Sequence, residues 1–238
     1  MGLKEDLGSG PFTLAMSSGF FGFFAHCGAV LALAEEGLVA SKYTGSSAGA
    51  IVAAACAHGV GPSELRSILR ELKRADFWDP ALGIGLLKGK KIEGLLREIL
   101  QHKDRSTELA ISVYDIFARK TASFSEGDVP RLVRASIAVP LMFHPVFHEG
   151  RVYWDGGILD KMALTGVKPT ERVLVHFLPG KRTSSVYERK KQLNLLNERQ
   201  TAVVPLDLPA VGPYALERGQ EALERAFENM KRELERKS

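Results

Sequence analysis

Cysteine is nearly absent: the 238 residues contain two, Cys27 and Cys56. That excludes a disulfide framework and a cluster of thiolate metal ligands. Long apolar runs are also missing. The most hydrophobic stretch, Gly19 to Leu33, is interrupted by His26 and by glycines. It is shorter than the roughly 20 residues that cross a bilayer. Charge of one sign is not in excess. Lys and Arg number 32 against 28 Asp and Glu, a net of +4, which tolerates anionic surfaces without marking a nucleic-acid binder. The opening MGLKEDLGSG holds two acids and no apolar core, so it does not read as a secretory leader. A soluble, cytoplasmic protein is the expectation. A G-x-G-x-x-G dinucleotide loop after the first strand is lacking.

What is there is a folded composition, 45% hydrophobic and 25% charged. The length suits one domain, or one domain with a small appendage. Pro11 to Met16 reads as a buried strand, Ser17 to Gly22 as a turn, and Phe23 to Glu36 as a helix that Gly37 ends. Val39 to Thr44 reads as a weaker strand, followed by a helix of small residues that Gly59 can end. Ser63 is the expected N-cap of the next helix. Residues 76 to 90, with Pro80, Gly83, Gly85 and Gly89, read as loop or lid. Lys91 to Gln101 is helical, 109–114 and 121–124 are strands, and Pro130 to Ala138 is a short helix before Pro140. Strands follow at 151–154 and 172–178, and 180–215 is the least regular part. From 216 to 234 an apolar stripe recurs at helical spacing with a polar gap at 219–220. It reads as a terminal amphipathic helix packed on the body. Alternating strands and helices predict an α/β layer structure.

The sharpest local pattern is Gly45-Ser46-Ser47-Ala48-Gly49 between a strand and a helix. G-x-S-x-G there is a nucleophile elbow. The serine needs small neighbours two residues away, and its Oγ projects at a helix N-terminus that favours developing negative charge. A glycine-rich turn with a surface serine is the plainer alternative. Among the six histidines, His176 lies late in a strand and His26 among small apolar residues, so both read as structural. His144 and His148 lack a third metal ligand. Asp155 is better placed to act as a base: it follows Arg151-Val-Tyr-Trp and precedes Gly156-Gly157, which permit a sharp turn and close approach of another segment.

Three separated motifs resemble the bacterial patatin-like phospholipases, over roughly residues 12 to 178. They are Ser17-Ser18-Gly19-Phe20-Phe21-Gly22, the elbow at Ser47, and Asp155-Gly156-Gly157. A fourth stretch, Ala135 to Pro145, resembles the family's ASxAxPxxFxP segment. The resemblance implies a three-layer fold with a central, mostly parallel sheet flanked by helices. It implies Ser47 as nucleophile and Asp155 as base, with no histidine, metal or cofactor in the chemistry. It places the oxyanion hole at the Gly19 and Phe20 amides, with Gly22, Gly45, Gly49, Gly156 and Gly157 as supporting glycines. Phe20, Phe21, Phe24, Leu141, Met142 and Phe143 are candidate acyl-binding residues. The implied partners are a lipid or ester substrate and, transiently, a membrane surface, with no nucleic acid; oligomeric state is left open. This sequence departs from the family at Ser17 and Ser18, where glycines are usual, in having no Arg or Lys between Ser17 and Phe24, and in lacking the Asn and Pro after Asp-Gly-Gly. If the loop works as implied, Gly19 should adopt a conformation reserved for glycine. A silent lipid-binding or scaffolding module, and an acyltransferase using the same serine, are the alternatives.

Overall fold

The computed structural model describes residues 2–179, 193–194 and 196–236. Part of the irregular stretch expected over 180–215 lies outside them. Among the described residues, eight strands form one mixed sheet: β1 Thr13–Met16, β2 Lys42–Ser46, β3 Glu108–Asp115, β4 Lys120–Phe124, β5 Val146–His148, β6 Arg151–Asp155, β7 Val173–His176 and β8 Gln200–Val203. The order is β5-β6-β3-β2-β1-β7-β8, with β4 also on β3. β3-β2-β1-β7-β8 are parallel, and β4, β5 and β6 pair antiparallel. The central strand Thr-Leu-Ala-Met is buried throughout, as a strand covered on both faces must be. Leu14, Met16 and Leu174 join the main core under the helices, while Ala15, Val173 and Val175 pack with Met162 and Phe177 on the other face.

Among the described residues the helices are α1 Leu3–Gly8, α2 Phe23–Glu35, α3 Ala48–Ala57, α4 Pro62–Glu71, α5 Lys90–Leu100, α6 Val129–Ser136 and α7 Arg218–Glu235. α2 and α3 stop where left-handed glycines allow: Gly37 has φ 69° and Gly59 φ 71°, and Leu38 and Val60 each donate back five residues. α4 begins two residues earlier than a cap at Ser63 would place it. Pro62 occupies its first turn and Gly61 is the N-cap, because proline's fixed φ and missing N–H suit that position. α7 packs its Gly219, Ala222, Leu223, Ala226, Met230 and Leu234 inward. The polar gap at 219–220 has a steric cause: a Cβ on Gly219 would fall 2.5 Å from the Phe24 ring. Reciprocally, one on Gly28 of α2 would fall 2.1 Å from the Leu223 carbonyl oxygen. The two glycines let α2 and α7 approach closely. β5, β8 and α1 are additions to the elements expected from the sequence. No helix among the described residues is long and apolar enough to cross a membrane.

The sheet brings the ends of two strands together on β3. β4 occupies one edge of β3 along residues 111–115, so β2 and β6 share the other edge in tandem. Ser46, the last residue of β2, pairs with Ser112, and Asp155, the last of β6, pairs with Val113. The two strands end facing each other at adjacent positions of one neighbour.

Candidate active site

β2 ends and α3 begins with only Ser47 between them. That sharp reversal holds Ser47 at φ 53°, ψ −123°, a costly region for a residue with a side chain. Its neighbours must be small. A Cβ on Gly45 would lie 2.4 Å from Ala50 Cα, and one on Gly49 would lie 2.1 Å from the Met16 carbonyl oxygen. The Ser47 amide donates to Ser136 Oγ at 2.8 Å, and the Ser136 hydroxyl donates to the Ser112 carbonyl at 2.7 Å. α6 is thereby tied to the turn and to β3. Sequence reasoning singled out the stretch Ala135–Pro145 without assigning Ser136 this role.

The Ser47 hydroxyl donates to Asp155 Oδ2 at 2.6 Å. Asp155 is fixed from three sides. Its amide donates to the Ala138 carbonyl at 3.0 Å, its Oδ1 accepts the Gly157 amide at 2.7 Å, and its Oδ2 faces Ser47. Gly156 sits against the Ser112 carbonyl, 2.2 Å from where a Cβ would be, so the Asp-Gly-Gly turn can hug β3. Burial pushes the Asp155 carboxyl up to about 6, against the opposing hydrogen bonds from Ser47 and Gly157. No histidine is hydrogen-bonded to Ser47 or Asp155 among the described residues. Nor, among these, do three or more His, Cys, Asp or Glu side chains form a group able to hold a metal ion.

The segment 17–22 lies against both. A Cβ on Gly157 would meet the Ser18 side chain at 2.6 Å, and the Gly49 position abuts the Ser17 carbonyl as well as Met16. Ser17, where the resembled family prefers glycine, has a use for its side chain: its Oγ accepts the Leu178 amide at 2.8 Å. Among the described residues the amides of Gly19 and Phe20 donate to no protein acceptor, whereas the Ser18 amide is spent on the Lys161 carbonyl. The left-handed residue of this loop is Phe21, at φ 54°, and not Gly19. This corrects the expectation of a glycine-only conformation at 19. A Cβ there would instead be crowded by the Leu178 side chain, whose Cδ1 would be 3.0 Å from a Cβ on Gly19 and 2.5 Å from one on Gly22.

The phenylalanines divide. Phe20 is exposed, and Phe21 is half-buried with its ring 5.6 Å from Phe77. Phe24 is fully buried between α2 and Gly219, so the structure removes it from the candidate acyl-binding residues. Leu141 is exposed, and Met142 and Phe143 are half-buried.

Beneath the loop lies a buried histidine pair. His26 Nε2 is 2.8 Å from the Ser17 carbonyl. A carbonyl only accepts, so the network assigns the proton to Nε2 and leaves Nδ1 bare. His26 Nδ1 is 2.8 Å from His176 Nδ1, which must therefore donate. His176 Nε2 is left without a partner. Burial holds both rings neutral, lowering His26 to about 4 and His176 well below its usual value. His26→Leu orphans a carbonyl and a ring N–H. His176→Leu orphans one acceptor and removes an unpartnered one. His26→Leu should thus cost about 2 kcal/mol or more in urea unfolding, His176→Leu clearly less, and the double variant less than the sum. Equal costs would contradict the assigned tautomers.

With this geometry in place, comparison with known proteins is direct. Residues 14–167 match the family model described as patatin-like phospholipase. The chain belongs to that family. It is 31% identical over 166 residues to an uncharacterized NTE family protein of Mycobacterium tuberculosis, covering 65% of this chain and 44% of that one. A second such protein from that organism is 28% identical over 157 residues, covering 63% and 27%. The chain thus spans less than half the length of these relatives. Among solved structures, VipD of Legionella pneumophila superposes with a TM-score of 0.68 at 16% identity, covering 94% of this chain and 66% of that one. ExoU of Pseudomonas aeruginosa, in its complex with SpcU, gives 0.52 at 18%, covering 95% and 52%. These likenesses concern the fold.

Proposed function

We propose that this protein is a serine lipid acyl hydrolase that cleaves carboxylic esters of phospholipids, lysophospholipids or related lipids through a Ser47–Asp155 dyad. The observation that carries the reading is the 2.6 Å hydrogen bond from Ser47 Oγ to a buried carboxylate. As Ser47 Oγ attacks the ester carbonyl carbon, Asp155 takes its proton. The amides of Gly19 and Phe20, helped by the first amide of α3 at Ala48, stabilise the oxyanion. Collapse breaks the carbon–oxygen bond to the alcohol, which leaves with the proton from Asp155. Water then gives a proton to Asp155 and attacks the acyl-serine. Ser47 departs and recovers that proton, releasing the acid. Phe20, Phe21, Leu141, Met142 and Phe143 would form the apolar rim for the acyl chain.

A fluorophosphonate probe followed by peptide mass mapping tests the central claim. The reading expects stoichiometric labelling at Ser47, none in Ser47→Ala, and much slower labelling in Asp155→Asn. Unlabelled wild-type protein with intact fold would favour the silent lipid-binding module instead.

A further inference from the structure

Next to this site the chain turns its hydrophobic side to water. Residues 80–87 form a small looped ribbon. Pro80 and Leu87 are bridged, and the Ala81 amide donates to the Leu86 carbonyl. The ribbon is anchored on 141–144 by the Leu86 and Leu87 amides and by the Leu87 carbonyl. Leu82, Gly83 and Ile84 are all exposed, and from Ile84 on burial alternates with period two: Gly85, Leu87 and Gly89 face inward, while Ile84, Leu86 and Lys88 face out. An extended segment on a protein surface normally puts its polar set outward; here the outward set is apolar. Leu82 is fully exposed, Ile84 67%, Leu86 69% and the adjoining Leu141 77%. Such a cluster of large exposed side chains marks an interaction surface.

The charge around it is mostly positive, although Lys90 also pairs with Glu93 at 3.1 Å. Lys73, Arg74, Lys88, Lys90 and Lys91 flank the ribbon and are exposed. The nearby acids are occupied with backbone: Asp79 accepts the amides of Gly89, Lys90 and Lys91, and Asp76 accepts that of Lys73. The surface also borders the site. Leu141 follows closely on Ala138, whose carbonyl holds the Asp155 amide, and Phe77 packs on Phe21 beside exposed Phe20.

We infer that the ribbon 80–88 with Leu141 is a seat for an anionic lipid bilayer. Leu82, Ile84 and Leu86 enter the acyl layer while the cationic rim meets lipid phosphates, as in other interfacial surfaces that join apolar burial to basic charge. The cationic rim disfavours a second copy of the same face. The inference takes its purpose from the acyl-hydrolase reading, but its physical basis is independent of it.

The test uses full-length Ser47→Ala protein, so that no lipid is consumed. Co-sedimentation is measured with vesicles of phosphatidylcholine alone and of phosphatidylcholine mixed equally with phosphatidylglycerol. Binding is expected to the mixed vesicles and to weaken with salt. The triple change Leu82→Ser, Ile84→Ser, Leu86→Ser should lower partitioning on the order of 100-fold, and Lys88→Glu several-fold on mixed vesicles only. Separately, Ile84→Trp should shift its emission to the blue on mixed vesicles. In an otherwise unchanged chain the triple variant should keep hydrolysis of a water-soluble butyrate ester. Vesicle binding unaffected by the triple change would overturn the inference. So would no binding by a protein that hydrolyses the soluble ester, or concentration-dependent dimers that the triple change abolishes without vesicle binding. Vesicle binding by a protein that no fluorophosphonate labels would uphold the seat and refute the hydrolase.

Discussion

Asp155→Asn will lose 10²- to 10⁴-fold in ester hydrolysis and yet unfold at a higher temperature than wild type at pH 8. On the proposed mechanism the first effect follows from removing the base. The second follows from burial. Asp155 titrates at about 6 in the folded protein, against an ordinary 3.8, so the folded state holds this proton more tightly than the unfolded chain. Its stabilising contribution is complete below the unfolded pKa and is lost as pH rises through about 6. Above that the ionised carboxylate costs about 3 kcal/mol relative to its protonated form, at about 1.4 kcal/mol per pKa unit. Asparagine avoids the cost at every pH, and its side chain can still accept from Gly157 and donate to Ser47. The difference in unfolding free energy between variant and wild type should therefore be near zero at pH 4, grow through pH 6 and level off by pH 8. Activity runs the opposite way: kcat/KM of wild type should rise with pH through about 6, as the base ionises. Thermal unfolding of both proteins at pH 4 and 8 gives the comparison. A variant that is less stable at pH 8 would mean that the carboxylate is not strained by burial, and a variant that retains activity would remove Asp155 from the chemistry.

What the sequence disclosed and what it hid follow from the range of the interactions involved. The elbow was legible because its requirements are local: a strand, one residue for the reversal, and small residues at 45 and 49 that admit few other uses. The stripe of α7 was legible for the same reason, and its gap at Gly219 became intelligible only with Phe24 lying across it. Gly61 displaced Ser63 as cap because the preceding proline fixed the first turn. The proximity of Ser47 and Asp155 was indicated by motif resemblance, but its cause is the tandem occupation of one edge of β3 by β2 and β6. No local pattern carries that, since it depends on where three distant strands stop. Ser136 is similar: a hydroxyl that bridges a turn amide and a strand carbonyl looks, in sequence, like any serine near a helix end. The four clustered phenylalanines looked alike in sequence, and the structure separates Phe24, which fills the core, from Phe20, which faces solvent. Gly19 shows the converse error. The crowding at this position comes from the Leu178 side chain, more than 150 residues on, and not from its own backbone angles.

The sharpest test of the elbow is one chemical change made at two places. Gly94 lies in α5, with nothing within 4 Å of where a Cβ would be. Gly94→Ala should raise stability by about 0.5–1 kcal/mol, since alanine loses less backbone entropy in a helix. Gly49 is also helical, in the first turn of α3, so propensity alone would give the same sign. Sterics reverse it. The added methyl would sit 2.1 Å from the Met16 carbonyl oxygen, 2.5 Å from its carbon and 2.8 Å from the Ser17 oxygen. These are backbone atoms of the central strand and of the loop that carries Gly19, and they have no rotamer with which to move aside. Relief requires α3 to slide off β1. Overpacking of this kind costs about 1–3 kcal/mol, and more where backbone must shift. Sliding α3 also carries Ser47 away from Asp155, and a displacement of about 1 Å at a reacting group can cost 10²-fold in rate. Gly49→Ala should therefore lose at least that much activity even at temperatures where circular dichroism shows it folded, while Gly94→Ala keeps full activity and melts later. If both variants gain stability and keep activity, α3 is not seated against Met16, and the strained turn at Ser47 would have lost its cause.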